Sequence, residues 1–220
     1  MEKLNLFEIP LFKVSLSDWD SRKQVIMDHY NRCLPEMDSD PYTGLLTNYF
    51  NGTKGMSQFV YDVFRNEISD FMDSLYHWHM NNDTCMLKNW NKFRYIYSIN
   101  SAWFQLQESN QSHNLHCHGQ QGFSAVCYIN LEEGHRVTEF VAPFSDFDNG
   151  MYQFAIPPVK EGDLIFFPSH VGHYTVPQPD IKNRLILSFN LQPMVTPNSE
   201  YCVPIVGDYY SIALRNTDGV

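Results

Sequence analysis

Three stretches of this sequence carry side chains that could hold a metal or an anion. The first is His113-Asn114-Leu115-His116-Cys117-His118. Residues two apart on an extended strand point to one side. His116 and His118 are therefore expected to share a face, with His113 and Cys117 turned to the other. Two imidazoles on one strand can chelate a divalent metal if a third ligand arrives from another strand; an isolated pair is more often only hydrogen-bonded near a strand start. The second stretch runs Gly162-Asp163-Leu164-Ile165-Phe166-Phe167-Pro168-Ser169-His170-Val171-Gly172-His173. A glycine turn, an apolar strand and a proline put His173 at the exit of a buried strand. It lies far enough along the chain from His116 for several strands to return beside the first; taken alone it would read as a loop histidine. The third feature is Arg184, which opens the last strong strand. A buried arginine needs an anionic partner, and its planar fork matches a carboxylate. The plainer alternative is a salt bridge at a strand edge.

The elements that must position these residues are legible in the apolar pattern. The 220 residues are 43% hydrophobic and 15% aromatic, enough for a full core and suited to β-rich packing. LFEIPLFKVSL, broken by Pro10, reads as an edge strand. Ser17 with Asp20 resembles a capped helix start, and a helical period continues to Pro35. Residues 35–55, rich in Pro, Asp, Gly, Asn and Thr, read as a loop. Val60, Val63, Phe64, Ile68, Phe71, Leu75 and Trp78 form one apolar stripe on a helix over about residues 57–79, suited to packing on a sheet. From about residue 92 the texture changes to short runs rich in β-branched and aromatic residues, among them RYIYSIN, SAWFQLQ, FSAVCYINL, DLIFFPS and RLILSFNLQ. These predict an antiparallel sandwich or barrel. In RLILSFNL the odd positions Leu185, Leu187 and Phe189 can take the helices. The even positions Arg184, Ile186, Ser188 and Asn190 can line a polar cavity.

Taken together, these residues resemble the Fe(II)/2-oxoglutarate-dependent oxygenases over roughly residues 95–192. HNLHCHGQQGFSAVCYINL is similar to the family's early HxD or HxE strand and the strand after it. GDLIFFPSHVGHYTVPQPDIKNRLILSFN is similar to the segment carrying the distal histidine and the arginine. The arrangement is most similar to a group of bacterial and phage oxygenases with an H-x-H, S-G-x-x-Y, F-P-S, R and F-N pattern. The matching positions are His116 and His118, Ser124, Tyr128, Phe167-Pro168-Ser169, His173, Arg184 and Phe189-Asn190. The resemblance implies a mainly β chain with N-terminal helices, a double-stranded β-helix (jelly roll) with helices packed on its outer face. It implies Fe(II) on His116, His118 and His173. It also implies 2-oxoglutarate as co-substrate, its far carboxylate on Arg184 with help from Tyr128 or Ser188. The sequence departs from the pattern in three places. His118 stands where the usual carboxylate ligand would be, Ala125 where relatives tend to have glycine, and Ile186 where a serine is common. Glu139, Asp146 or Asp148 could supply a carboxylate instead, although each also reads as an ordinary loop or strand charge.

The resemblance implies a hydroxylase acting on a small molecule or a peptide side chain, with release of succinate and CO2. Two alternatives remain open at this point. One is a cupin-type three-histidine iron dioxygenase that uses no 2-oxoglutarate; the other is a non-enzymatic jelly-roll binding or structural module. The formal charge of −10 argues against a nucleic-acid partner. No apolar run approaches the length of a bilayer span. The N-terminal residues lack the pattern of a signal peptide, and the five cysteines include no CxxC pair, so a cytoplasmic protein is expected. The whole chain, 1–220, is expected to be one domain. It would comprise a helix-and-strand support (1–94), the jelly-roll core (95–192) and a C-terminal extension (193–220). The sequence does not indicate the oligomeric state.

Overall fold

Strand β11 (Arg184–Pro197) shows how this sequence builds its fold. Leu185, Leu187, Phe189 and Leu191 are buried in one apolar cluster, and Ile186, between them, is buried in another. Both faces of the strand are covered, which is why it reads as a continuous apolar run rather than a simple alternation. The same division recurs in β6 (Phe123–Asn130) and β9 (Asp163–Pro168). Ala125, Cys127, Ile129, Leu164 and Phe166 face one cluster; Val126, Tyr128, Ile165 and Phe167 face the other. The structure, a computed structural model, describes residues 8–51, 55–81, 93–180, 182–197 and 211–213.

These strands belong to a larger antiparallel sheet that also holds β1 (Phe12–Ser15), β2 (Asp38–Ser39), β3 (Leu46–Thr47) and β4 (Phe93–Gln107). Its order is β1-β9-β6-β11-β4-β3-β2, and β12 (Ser211–Ala213) also pairs with β4. Helices α1 (Trp19–Cys33) and α2 (Met56–Asn81) cover one face of this sheet. The stripe on α2 is buried as expected: Phe71 stacks on Phe166 with ring centroids 4.3 Å apart, and Phe64 lies over Phe189 at 5.9 Å. An ion pair of 2.9 Å between Arg22 and Glu67 joins the two helices. A smaller antiparallel sheet covers the opposite face, with the order β5 (His113–His116), β10 (Gly172–Thr175), β7 (Glu139–Ser145), β8 (Tyr152–Ala155). The second apolar cluster, including Val126, Ile165, Phe140 and Ile186, fills the space between the two sheets.

The chain departs from its sequence pattern in four places. Ser17 and Asp20 do not form a capping pair: Asp18 occupies the cap in the left-handed region (φ 52°) and makes no side-chain cap bond. The start of α1 is held instead by packing. Gly162, at φ 82°, turns close against the Trp19 ring, where a Cβ would sit 3.0 Å from ring carbons, and the Leu16 amide donates to the Gly162 carbonyl. RYIYSIN and SAWFQLQ are one continuous strand, because β11 pairs along nearly the whole length of β4 with a single irregularity. The 35–55 stretch contributes two short strands, β2 and β3, to the end of the large sheet. The fourth departure lies in β5. His116 pairs with His173, and His113 pairs with Thr175. Three steps on β5 therefore match two on β10, a bulge that places an extra residue in β5 and breaks its two-residue alternation.

Candidate metal centre

The bulge decides which histidines meet. His116 and His173 face each other across the β5–β10 pair, their ring centroids 4.3 Å apart. His118 lies just past the end of β5, where its amide donates to the Ser169 carbonyl. Its ring centroid is 5.1 Å from that of His116 and 4.9 Å from that of His173. Potential ligand atoms of His116, His118 and His173 all lie within 4.8 Å of one another, so the three could hold one metal ion. His113 does not point away as strand alternation predicts. The bulge brings its ring to 3.9 Å from that of His116, and it lines the same cavity.

The hydrogen bonds set the tautomer of each ring. Nδ1 of His116 lies 2.7 Å from the Asn114 carbonyl, and Nδ1 of His173 lies 3.0 Å from the Val171 carbonyl. Nδ1 of His118 lies 2.7 Å from Oδ1 of Asn190. A carbonyl oxygen can only accept, so each Nδ1 carries the proton and each Nε2 keeps its lone pair free. Metal-bound histidines are oriented by the same kind of bond. Around His118 a small polar network fixes the amide. The Ser124 hydroxyl donates to Asn190 Oδ1 and meets the Ser169 hydroxyl, while Asn190 donates to Ser101. The three-imidazole donor set suits iron among other first-row metals.

Burial keeps these rings neutral. Desolvation, reinforced by the neighbouring histidines, pushes His113 and His118 down to about 4 and His173 to about 3; burial also lowers His116. In the unfolded chain the same groups titrate near ~6.5. As the pH falls below that value the unfolded chain gains protons that the folded chain refuses, so folded stability is full above it and is lost toward pH 4. Urea denaturation of the metal-free protein is therefore expected to show stability lower by on the order of a few kcal/mol at about pH 5 than at about pH 7. Equal stability at the two values would mean that the rings are not held neutral.

The structure also places the other residues singled out from the sequence. Arg184, Tyr128 and Ser188 are all buried on the inter-sheet side. Ser188 lines a small recess beside the histidines, together with Gln105, Thr138 and Ile186. Arg184 and Tyr128 do not line it; they lie behind it, with the guanidinium 5.8 Å from the Tyr128 ring centroid. Arg184 donates from Nε to the Arg136 carbonyl (3.1 Å) and from Nη1 to Gln107 (3.2 Å), while Nη2 is buried without a partner. The alternative carboxylates do not join the histidines. Glu139 pairs with Arg136 at 3.4 Å and accepts from Tyr174. Asp146 accepts backbone bonds within its own exposed loop, and Asp148 is exposed there too.

Above the histidines opens a cavity of about 320 Å³ lined by Asp40, Thr47, Tyr49, Phe50, Trp103 and Gln105, among others. The sequence points to loops near 35–55 and 140–160 as an outer wall, but not to which of their residues line it, because the 35–55 stretch shows no period that would place them. A roomier groove of about 440 Å³ beside β8 has, among the described residues, Gln153 as the single polar side chain on its wall and none that would hold a metal.

Comparison with known families bears on this arrangement. Residues 101–190 match the sequence model of the family described as "Putative 2OG-Fe(II) oxygenase". No curated protein matches the chain. Among solved structures, the alpha ketoglutarate-dependent carbocyclase SnoK of nogalamycin biosynthesis is similar, with TM-score 0.55 and 10% identity over 86% of this chain and 83% of that one. The epimerase SnoN of the same biosynthesis aligns with TM-score 0.54 and 11% identity, over 83% and 78% of the two chains. A prolyl hydroxylase from Trichoplax adhaerens aligns with TM-score 0.50 and 11% identity, over 83% of each. These likenesses establish the double-stranded β-helix. The matched segment holds all three facing histidines and Arg184 on that fold, and over residues 101–190 the chain is similar to the Fe(II)- and 2-oxoglutarate-dependent oxygenases.

Proposed function

We propose that His116, His118 and His173 bind Fe(II) through Nε2. We further propose that Arg184, with Tyr128 and Ser188, receives the far carboxylate of 2-oxoglutarate, and that the enzyme hydroxylates a small molecule or a peptide side chain. The observation that carries this reading is the common orientation of the three rings: each gives its Nδ1 proton to a carbonyl oxygen, leaving Nε2 for a ligand. When bound, iron and 2-oxoglutarate supply the oxidising chemistry, in which the co-substrate is decarboxylated to succinate. The chain's own part is to orient the metal through those hydrogen bonds and to keep the imidazoles unprotonated by burial. It also meets the co-substrate with a guanidinium and shields the centre behind Trp103 and Ile186.

Arg184 supports the co-substrate assignment because a fully buried guanidinium with an unpartnered N–H is costly until an anion reaches it. The recess, at about 20 Å³, is smaller than the co-substrate, so its walls part as 2-oxoglutarate enters. SnoN is described in complex with Fe3+, alpha ketoglutarate and nogalamycin RO, and the Trichoplax prolyl hydroxylase with a peptide fragment; the fold thus accepts both kinds of substrate. We place the whole chain, 1–220, in one domain working in the cytoplasm. The net charge of −10 speaks against nucleic acid as the partner. None of the described helices is long and apolar enough to cross a membrane. The test is succinate formation from 2-oxoglutarate by the purified chain. It is expected with Fe(II) and O2 together and absent when either is withheld; succinate formation indifferent to iron would end this reading.

A further inference from the structure

The cavity over the histidines has an uneven chemistry. Among the described residues its walls include one carboxylate, Asp40, and no lysine or arginine. The same cavity is lined by aromatic rings that run outward from the histidines in steps. Trp103 lies 5.4 Å from the His118 ring, Tyr49 meets Trp103 edge-on at 5.0 Å, and Phe50 meets Tyr49 edge-on at 5.3 Å. Trp103 is buried, whereas Tyr49 and Phe50 are 47% and 57% exposed. The outer two rings therefore present open surface at the mouth.

Asp40 is built to stay charged there. Its Oδ1 accepts from the Tyr42 amide at 2.9 Å and its Oδ2 from the Thr43 hydroxyl at 2.7 Å. Burial pushes its carboxyl up, but these bonds, the neighbouring His113 and the Thr43 amide outweigh that and hold it below the usual carboxylate range. A carboxylate has about four acceptor positions, so acceptor capacity remains on the side that lines the cavity.

A carboxylate and open aromatic rings lining one cavity are the chemistry that recognises an organic cation: the carboxylate takes the charge and its N–H groups, and the rings attract it through their π systems. A substrate anion would meet Asp40 with no lysine or arginine among the described wall residues to compensate. We infer that the substrate of this oxygenase carries an ammonium or guanidinium group, held between Asp40 and the Tyr49–Phe50–Trp103 wall while a neighbouring carbon lies over the metal centre. This deepens the proposed activity and rests on it for taking this cavity as the substrate site.

The test uses the full chain in two states, metal-free and loaded anaerobically with Fe(II) and 2-oxoglutarate, with loading followed by calorimetry. The probes are phenethylammonium against 2-phenylethanol, and a lysine-centred hexapeptide against the same peptide with norleucine. In each state at least one cation is expected to bind about tenfold or more tightly than its neutral counterpart. The pair that shows the preference identifies the source, a free amine or a side chain. Asp40→Asn keeps the turn, which asparagine also favours, and is expected to abolish the preference while leaving Fe(II) and 2-oxoglutarate affinities unchanged. Neutral probes binding as well as cations in the wild type, or a preference that survives in Asp40→Asn, would overturn the inference. Failure to load would instead count against the activity, and the cation preference would still be decided on the metal-free chain.

Discussion

Titration of the His173→Ala variant with Fe(II) is expected to show no saturable binding, and His116→Ala the same. Each variant removes one of three convergent donors. The fold should survive. The helix-covered cluster that includes Phe64, Phe71, Phe166 and Phe189 does not involve these histidines. His173 touches the inter-sheet cluster through the Phe140 and Phe167 rings, at 5.9 and 4.9 Å, so its truncation costs about 1–2 kcal/mol. Far-UV circular dichroism and a denaturation curve provide that control. Metal titrations indistinguishable from the wild type in both variants would remove the centre from these residues.

Arg184→Ala should raise the 2-oxoglutarate concentration needed for half-saturation by roughly 10²–10³-fold, the loss of two charge-assisted hydrogen bonds. Fe(II) affinity should scarcely change, because the guanidinium makes no bond to a histidine; its protein partners are the Arg136 carbonyl and Gln107. Arg184→Lys should recover only part of the affinity, since a point charge cannot reproduce the planar fork. The pairing of two measurements matters. A variant that had simply lost its fold would lose metal and co-substrate together, whereas the predicted pattern separates them. Unchanged 2-oxoglutarate binding in Arg184→Ala, measured by calorimetry with Fe(II) present, would show that the co-substrate's carboxylate lies elsewhere.

The parts of this protein that were legible in its sequence are those governed by local pattern. The stripe on α2 and the two-faced burial of β11 follow from side-chain period alone. His116, His118, His173 and Arg184 stood out by type and spacing. What escaped depends on partners distant in the chain. His113 joins the other histidines because β5 bulges against β10, and no pattern within one strand reveals a mismatch with its neighbour. The aromatic wall hangs on short strands in the 35–55 stretch, whose turn residues hide any period. Arg184 faces the expected side of its strand, yet it is sealed behind the recess, and that depth depends on side chains from several strands at once.

The way the three rings are hung has a consequence for how this centre can vary through descent. His116 and His173 are oriented by main-chain carbonyls two residues earlier, and no point substitution deletes a carbonyl. His118 is oriented by the side chains of Asn190 and Ser124, which single mutations can replace. The orientation of two of the three rings is thus insulated from drift, while that of the third is open to it. With a metal on the three rings as proposed, heritable adjustment of its properties in this lineage would run through positions 124 and 190, leaving the histidines themselves untouched.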